Sequence, residues 1–319
     1  MERSSSHDFF PIHLQMIMVD SIRSFDVFIK IKSRMVLYHA GGDRFTPEVR
    51  DHLIANGMKT LYIRKIDRDS FDRYIEDNLA RILSNPEMKI MERAALAHRS
   101  IAGIARTLFE NPRAQTIVRY KAAIGSAVDF IMREDDAIGS LIQLSSHDFS
   151  TYIHSVNVGI LAIGLAKALL GDNSGHDMRE LASGFFLHDI GKCAIPLDIL
   201  NKPGPLSKHE WIIIRSHPWE GCRILQKFGF LSETAKLVVM QHHERHDGFG
   251  YPRGLKGCQI HMYSRICCIA DVFDALTSAR PYKAPQTPFR ALSIMKTEMR
   301  REFDPDFFAR FVMLFGEKQ

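Results

Sequence analysis

Cysteine is scarce and unpaired in this chain of 319 residues: the five thiols (193, 222, 258, 267 and 268) are odd in number, fall in one half and show no C-x-x-C spacing. That pattern excludes both a disulfide framework and a thiolate zinc site, and leaves the cysteines as ordinary thiols of a reducing compartment. Charge of one sign is equally lacking. The formal net charge of +5 is the difference between 42 basic and 37 acidic residues spread along the chain, so bulk charge offers no DNA, RNA or membrane-surface partner. The longest apolar run, VGILAIGLAKALL, is too short to span a bilayer and contains Lys167. The opening residues MERSSSHDFF lack the charged-then-apolar layout of a signal peptide, and the reading is a cytoplasmic protein without a membrane span. Internal repeats and low-complexity segments are absent too.

The remaining composition, 45% apolar and 25% charged, is that of a globular protein long enough for two domains. Residues 14 to 65 alternate as strands do, at Leu14, Met16 and Met18, then at Phe25, Val27, Ile29 and Ile31, and again at Leu61 and Ile63. Between the later strands, Thr46 and Pro47 open a helix as N-cap and first-turn proline, and Gly57 suits its C-terminal cap. Residues 1–86 therefore read as a small α/β (α+β) module, regulatory or dimerising, with no metal-ligand cluster and no phosphate-type glycine loop. Residues 87–112 read as a linker helix whose stripe of Ala97, Ile101, Ile104 and Leu108 suits either packing or a coiled homodimer contact. Asn111-Pro112 marks the boundary to 113–319, which reads as almost wholly helical.

Histidine is what this chain has in excess. Ten of its 15 histidines lie between 147 and 261, several beside apolar residues where an exposed imidazole is not expected. His154 shares a helical face with Val158, Leu161 and Leu165, and His188, with Asp189 directly after it, shares one with Leu181 and Phe185. His217, the pair His242-His243, and Asp271 within RICCIADVFDAL complete the set. Each has an alternative: His154 and His217 as hydrogen-bonded core residues, Asp271 paired with Arg265 or Arg280, Lys192 of HDIGK as a solvated cation. A bound cation would give all of them one purpose. Imidazole and carboxylate without thiolate suit iron or manganese foremost, and zinc or nickel otherwise. Seven candidate ligands exceed the needs of one catalytic metal, whereas two metals bridged by Asp189 would use them all, clamp a phosphoryl group and generate hydroxide at neutral pH. The reaction this predicts is hydrolysis of a phosphate ester.

The stretches YIHSVNVGILA, GFFLHDIGKCAIPLDILNKPGPLS, HPWEGCRIL, HHERHDGFGYPRGLKG and RICCIADVFDALTSARPYK, in that order, make residues 140 to 310 resemble the HD-GYP family of metal-dependent phosphohydrolases. The resemblance implies an all-α domain that hydrolyses cyclic di-GMP, a bacterial second messenger, to pGpG or GMP. It places metal ligands at His154, His188, Asp189, His217, His242, His243 and Asp271, with Asp189 bridging. It gives Asp189 and Lys192 catalytic roles and assigns substrate contacts to Lys192, Tyr251, Arg280 and Lys283. Some members carry a glutamate one helical turn before the first histidine and bind a third metal; Ser150 stands there in this chain, so a binuclear centre is expected. Glu244 and Asp247 are expected to orient ligands. A receptor that binds the dinucleotide without turnover, and a phosphodiesterase of another cyclic dinucleotide, stay open. So do a homodimer and signalling partners docking on the first module or the GYP loop.

Overall fold

The computed structural model describes residues 8–145, 150–171, 175–279 and 284–316. Arg280 and Lys283 lie outside the described residues. The chain divides into two compact units at Ser100/Ile101.

Among the described residues, the first unit holds six strands: β1 (Phe9–His13), β2 (Ser21–Ile22), β3 (Val27–Ile31), β4 (Arg34–His39), β5 (Arg44–Phe45) and β6 (Thr60–Arg64). Four form an antiparallel sheet in the order β1-β6-β3-β4, and β2 pairs with β5. The strand expected at residues 14–18 is instead a tight turn over Leu14–Met16, and the strand before it, β1, contains Pro11. A proline is tolerated there because β1 is an edge strand and owes no hydrogen bond on its outer side. Helix α1 (Pro47–Ala55) starts as expected, with the Thr46 hydroxyl accepting from Val49 N, and Gly57 follows it at φ +68°. Helices α2 (Arg68–Asp77) and α3 (Leu79–Leu83) supply Phe71, Tyr74, Ile75 and Ile82 to a core shared with Phe25, Val27, Leu61 and Ile63.

Helix α4 (Ile90–Glu110) contains the division between the units and ends just before Asn111-Pro112. In the second unit, α5 (Ala114–Arg133) buries Ile117, Tyr120, Ile124, Ala127 and Ile131, the three-and-four spacing of one helical face. After α6 (Ala137–Leu144) comes α7 (Thr151–Leu170), buried at every position from His154 to Ala166. Its length and composition would serve a membrane span, but most of it is enclosed by α6, α8 (Met178–Phe186), α13 (Met262–Thr277) and α15 (Pro305–Met313). That is the pattern of a core helix. The remaining helices are α9 (Leu197–Leu200), α10 (Lys208–Ile214), α11 (His217–Lys227), α12 (Glu233–Gln241) and α14 (Pro288–Thr297). A capping box opens α10: Ser207 Oγ accepts from Glu210 N, and Glu210 accepts from Ser207 N.

Candidate metal centre

Helix ends and one helix interior deliver the polar residues to a single buried place. His154 comes from the first turn of α7, whose N-cap is Ser150. His188 and Asp189 follow the end of α8, His217 opens α11, His242 and His243 follow α12, and Asp271 lies midway along α13. Helix α8 ends at Phe186 and does not continue through Lys192. The chain tightens into a 3₁₀ turn over Ile190–Ala194, which packs on the start of α11. Gly191 is what permits this approach, since a Cβ there would stand 1.9 Å from the His217 carbonyl oxygen. Lys192 consequently reaches Asp189 rather than standing above His188, its Nζ 2.5 Å from Asp189 Oδ2.

Asp189 is the centre of the cluster. Its Oδ1 faces His217 Nε2 at 3.3 Å and His242 Nε2 at 3.7 Å, while Oδ2 faces His188 Nε2 at 3.5 Å and His154 Nε2 at 3.6 Å. His154 Nε2 also lies 3.0 Å from Asp271 Oδ1, and Asp271 Oδ2 lies 3.5 Å from His243 Nδ1. Donor atoms thus gather as Asp189 with His217, His242 and His243, and as His154 with His188 and Asp271. The two oxygens of one carboxylate serve the two groups, which is the disposition of a bridging ligand. Of the two arginines weighed as partners for Asp271, Arg265 instead bonds Asp304, and Arg280 lies outside the described residues.

Backbone carbonyls fix the imidazole tautomers. Nδ1–H of His188 donates to Phe185 O at 2.8 Å, that of His217 to Ile214 O at 2.8 Å, and that of His242 to Val239 O at 2.9 Å. A carbonyl only accepts, so each neutral ring turns an unprotonated Nε2 inward. Two such lone pairs, on His217 and His242, face each other across 3.2 Å beside Asp189 Oδ1. His188 Nε2 and Asp189 Oδ1 are buried with no hydrogen-bond partner. Acceptors crowded on acceptors in a buried place repel unless a cation lies among them. The residues therefore fit divalent metal ions.

Charge in the cluster follows from burial and neighbours. Burial lowers His188, pushes His217 down to about 3, and holds His243 well below the usual histidine value, so these rings are neutral at physiological pH. Burial would raise Asp189, but Lys192 and His188 hold it well below the carboxylate range. His154 differs: burial alone would lower it, yet Asp271 and Asp274 raise it to about 9.

Asp274 escaped the sequence reading. It is buried one turn beyond Asp271, its Oδ2 accepts from His154 Nδ1 at 2.7 Å and from Ser278 Oγ at 3.1 Å, and its Oδ1 accepts from Asn157 Nδ2 at 2.8 Å. A second carboxylate in the apolar run ADVFDAL was the available signal. Such an outer partner orients a ligand imidazole and raises its basicity. Glu244 and Asp247, expected to orient ligands, hold the loop instead. The buried Glu244 carboxylate accepts from Arg253 N at 2.7 Å and Leu255 N at 2.9 Å, and Asp247 bonds Arg245 and Phe249 N. Tyr251 of this loop stacks on His243, ring centroids 4.6 Å apart.

The family model described as the HD domain matches residues 143–307. Over 187 residues the chain is 42% identical to the cyclic di-GMP phosphodiesterase PA4108 of Pseudomonas aeruginosa, covering 58% of this chain and 44% of that protein. Over 156 residues it is 44% identical to the 3'3'-cGAMP-specific phosphodiesterase 2 of Vibrio cholerae, covering 49% of this chain and 30% of that one. The chain thus spans less than half the length of either curated relative. The solved structure of Bd1817, a HDG"Y"P protein from Bdellovibrio bacteriovorus, superimposes with a TM-score of 0.66 at 25% identity, over 97% of this chain and all of the other. On the matched HD domain and its clustered histidines and aspartates, this chain belongs to the HD-domain family.

Proposed function

We propose that the chain is a metal-dependent phosphodiesterase that hydrolyses cyclic di-GMP to pGpG, GMP or both. The observation that carries this reading is the buried Asp189 carboxylate, whose two oxygens face two separate groups of imidazole nitrogens. His154, His188 and Asp271 would hold one ion; His217, His242 and His243 would hold the other, with Asp189 common to both. When bound, a pair of divalent ions supplies Lewis acidity at phosphorus and acidifies water at neutral pH. Iron or manganese suits this donor set, as does zinc or nickel.

The chain's own residues do the rest. Asp189 joins the two ligand groups, and Asp274 holds the His154 ring by its outer nitrogen. Lys192 lies against the bridging carboxylate, placed to offset negative charge developing on a transferred phosphoryl group. Tyr251, stacked on His243, forms a wall toward the substrate, and Arg280 and Lys283 complete the phosphate contacts as the family pattern implies. A second substrate, 3'3'-cGAMP, is favoured by the relative of that specificity at 44% identity.

The test is incubation of protein purified without chelator with each cyclic dinucleotide, products being followed by chromatography. Linear product supports the reading, and none from fully metal-loaded protein contradicts it in favour of a receptor. The variant Lys192→Ala should lose turnover while keeping most of its metal; parallel loss of both would make Lys192 structural.

A further inference from the structure

We propose that Arg215 holds the second, non-reacting phosphate of the cyclic dinucleotide; the assignment rests on the phosphodiesterase reading above. Arg215 is exposed at the end of α10, two residues before the buried ligand His217. Its guanidinium lies over the Tyr251 ring, 5.1 Å from the centroid, and 5.7 Å from that of Trp211. Tyr251 in turn stacks on the ligand His243. One cation is therefore tied to the centre twice, along the chain to His217 and across the tyrosine to His243.

Arg215 also differs from three other arginines of this unit. Arg223 pairs with Glu220, Arg245 with Asp247 and Glu302, and Arg265 with Asp304. The backbone N–H of Arg215 closes α10 on Trp211 O, but its guanidinium makes no ion pair or hydrogen bond among the described residues. The end of a helix favours a cation by its dipole, but that does not account for a side chain laid across a ring from another loop. A guanidinium resting on an aromatic face keeps its in-plane N–H donors free, and that fork matches two oxygens of a phosphate. A cyclic dinucleotide carries two phosphodiesters on one ring. With the first at the histidine and aspartate cluster, the second is carried to the periphery, where an unpaired cation two ring contacts from the centre can receive it.

The experiment compares full-length, metal-loaded wild type, Arg215→Ala and Arg215→Lys on cyclic di-GMP and on bis(p-nitrophenyl) phosphate, which has a single phosphodiester. The expected result is a rise in KM for cyclic di-GMP in Arg215→Ala, roughly tenfold or more from loss of a charged hydrogen bond. That rise should exceed any loss on bis(p-nitrophenyl) phosphate several-fold, and Arg215→Lys should recover part of it by retaining the charge. Equal losses on both substrates would mean that Arg215 only props Tyr251, and an unaltered KM would mean that it does not meet substrate; either overturns the assignment alone. A wild type that cleaves bis(p-nitrophenyl) phosphate but neither cyclic dinucleotide overturns the substrate reading, and this assignment with it.

Discussion

The two units bury very different cores. In the first, Phe25, Val27, Leu61, Ile63, Phe71 and Ile75 fill the space between sheet and helices with apolar surface. In the second, the interior between α7, α11, α12 and α13 includes His154, His188, Asp189, His217, His242, Asp271 and Asp274. Apolar burial stabilises a fold by removing surface from water. Burial of seven ionisable groups works against stability unless partners compensate, and the carbonyls, Asp274 and Lys192 compensate only in part. The first core is what folding asks for. The second is what a metal asks for, and the stability of its fold must come from the helices around it.

Four substitutions or conditions sharpen that contrast. Asp189→Ala, which deletes the carboxylate common to both ligand groups, should cut phosphodiesterase activity on the order of a thousandfold and remove bound metal with it. Helical content by circular dichroism should stay largely intact; full activity without metal would sink the binuclear site. The mirror experiment is Phe71→Ala, which should cost the first unit about 3–5 kcal/mol in denaturant unfolding, with the metal-to-protein ratio of the chain retained. Loss of metal in this variant would mean that the two cores are not separable. Asp274→Asn keeps shape but weakens the acceptor for His154 Nδ1, and metal affinity should fall roughly tenfold to a hundredfold. An affinity equal to wild type would leave Asp274 a packing residue.

The smallest effect is graded with pH. In the metal-free protein Asp271 and Asp274 raise His154 to about 9 against the opposing effect of burial, above about 6.5 for an unfolded histidine. The sign follows: this protonated ring stabilises the metal-free fold fully below the unfolded value and ceases to do so as pH rises through the folded one. A metal must displace the same proton. Metal affinity, read by competition with a chromophoric chelator, should therefore climb about tenfold per pH unit between those values and level off above them. A flat profile would contradict the charge assigned to His154.

The sequence was most readable where chemistry is local. His188-Asp189, His242-His243 and the GYP loop are contiguous, and their ligating types stand out against apolar flanks. The tight turn that brings Lys192 to Asp189 is not legible, because the close approach of His217 to Gly191 is a tertiary fact that periodicity cannot show. Asp274 was passed over because an outer carboxylate declares itself only through its partner, and His154 is distant in sequence. Glu244 was read toward the metal, whereas two backbone amides of its own loop claim it. In the first unit, β4 went unnoticed since Val36 and Leu37 are both exposed and give no one-sided alternation. Strand β1 was hidden by its edge proline.

The measurement that bears most directly on the account is the metal content of the full chain, loaded with manganese or iron to saturation, freed of excess and assayed by elemental analysis. Two ions per chain in wild type, falling below one in Asp189→Ala, is the predicted result. A saturated wild type holding a single ion, or an Asp189→Ala variant that still holds two, would contradict a centre bridged by Asp189.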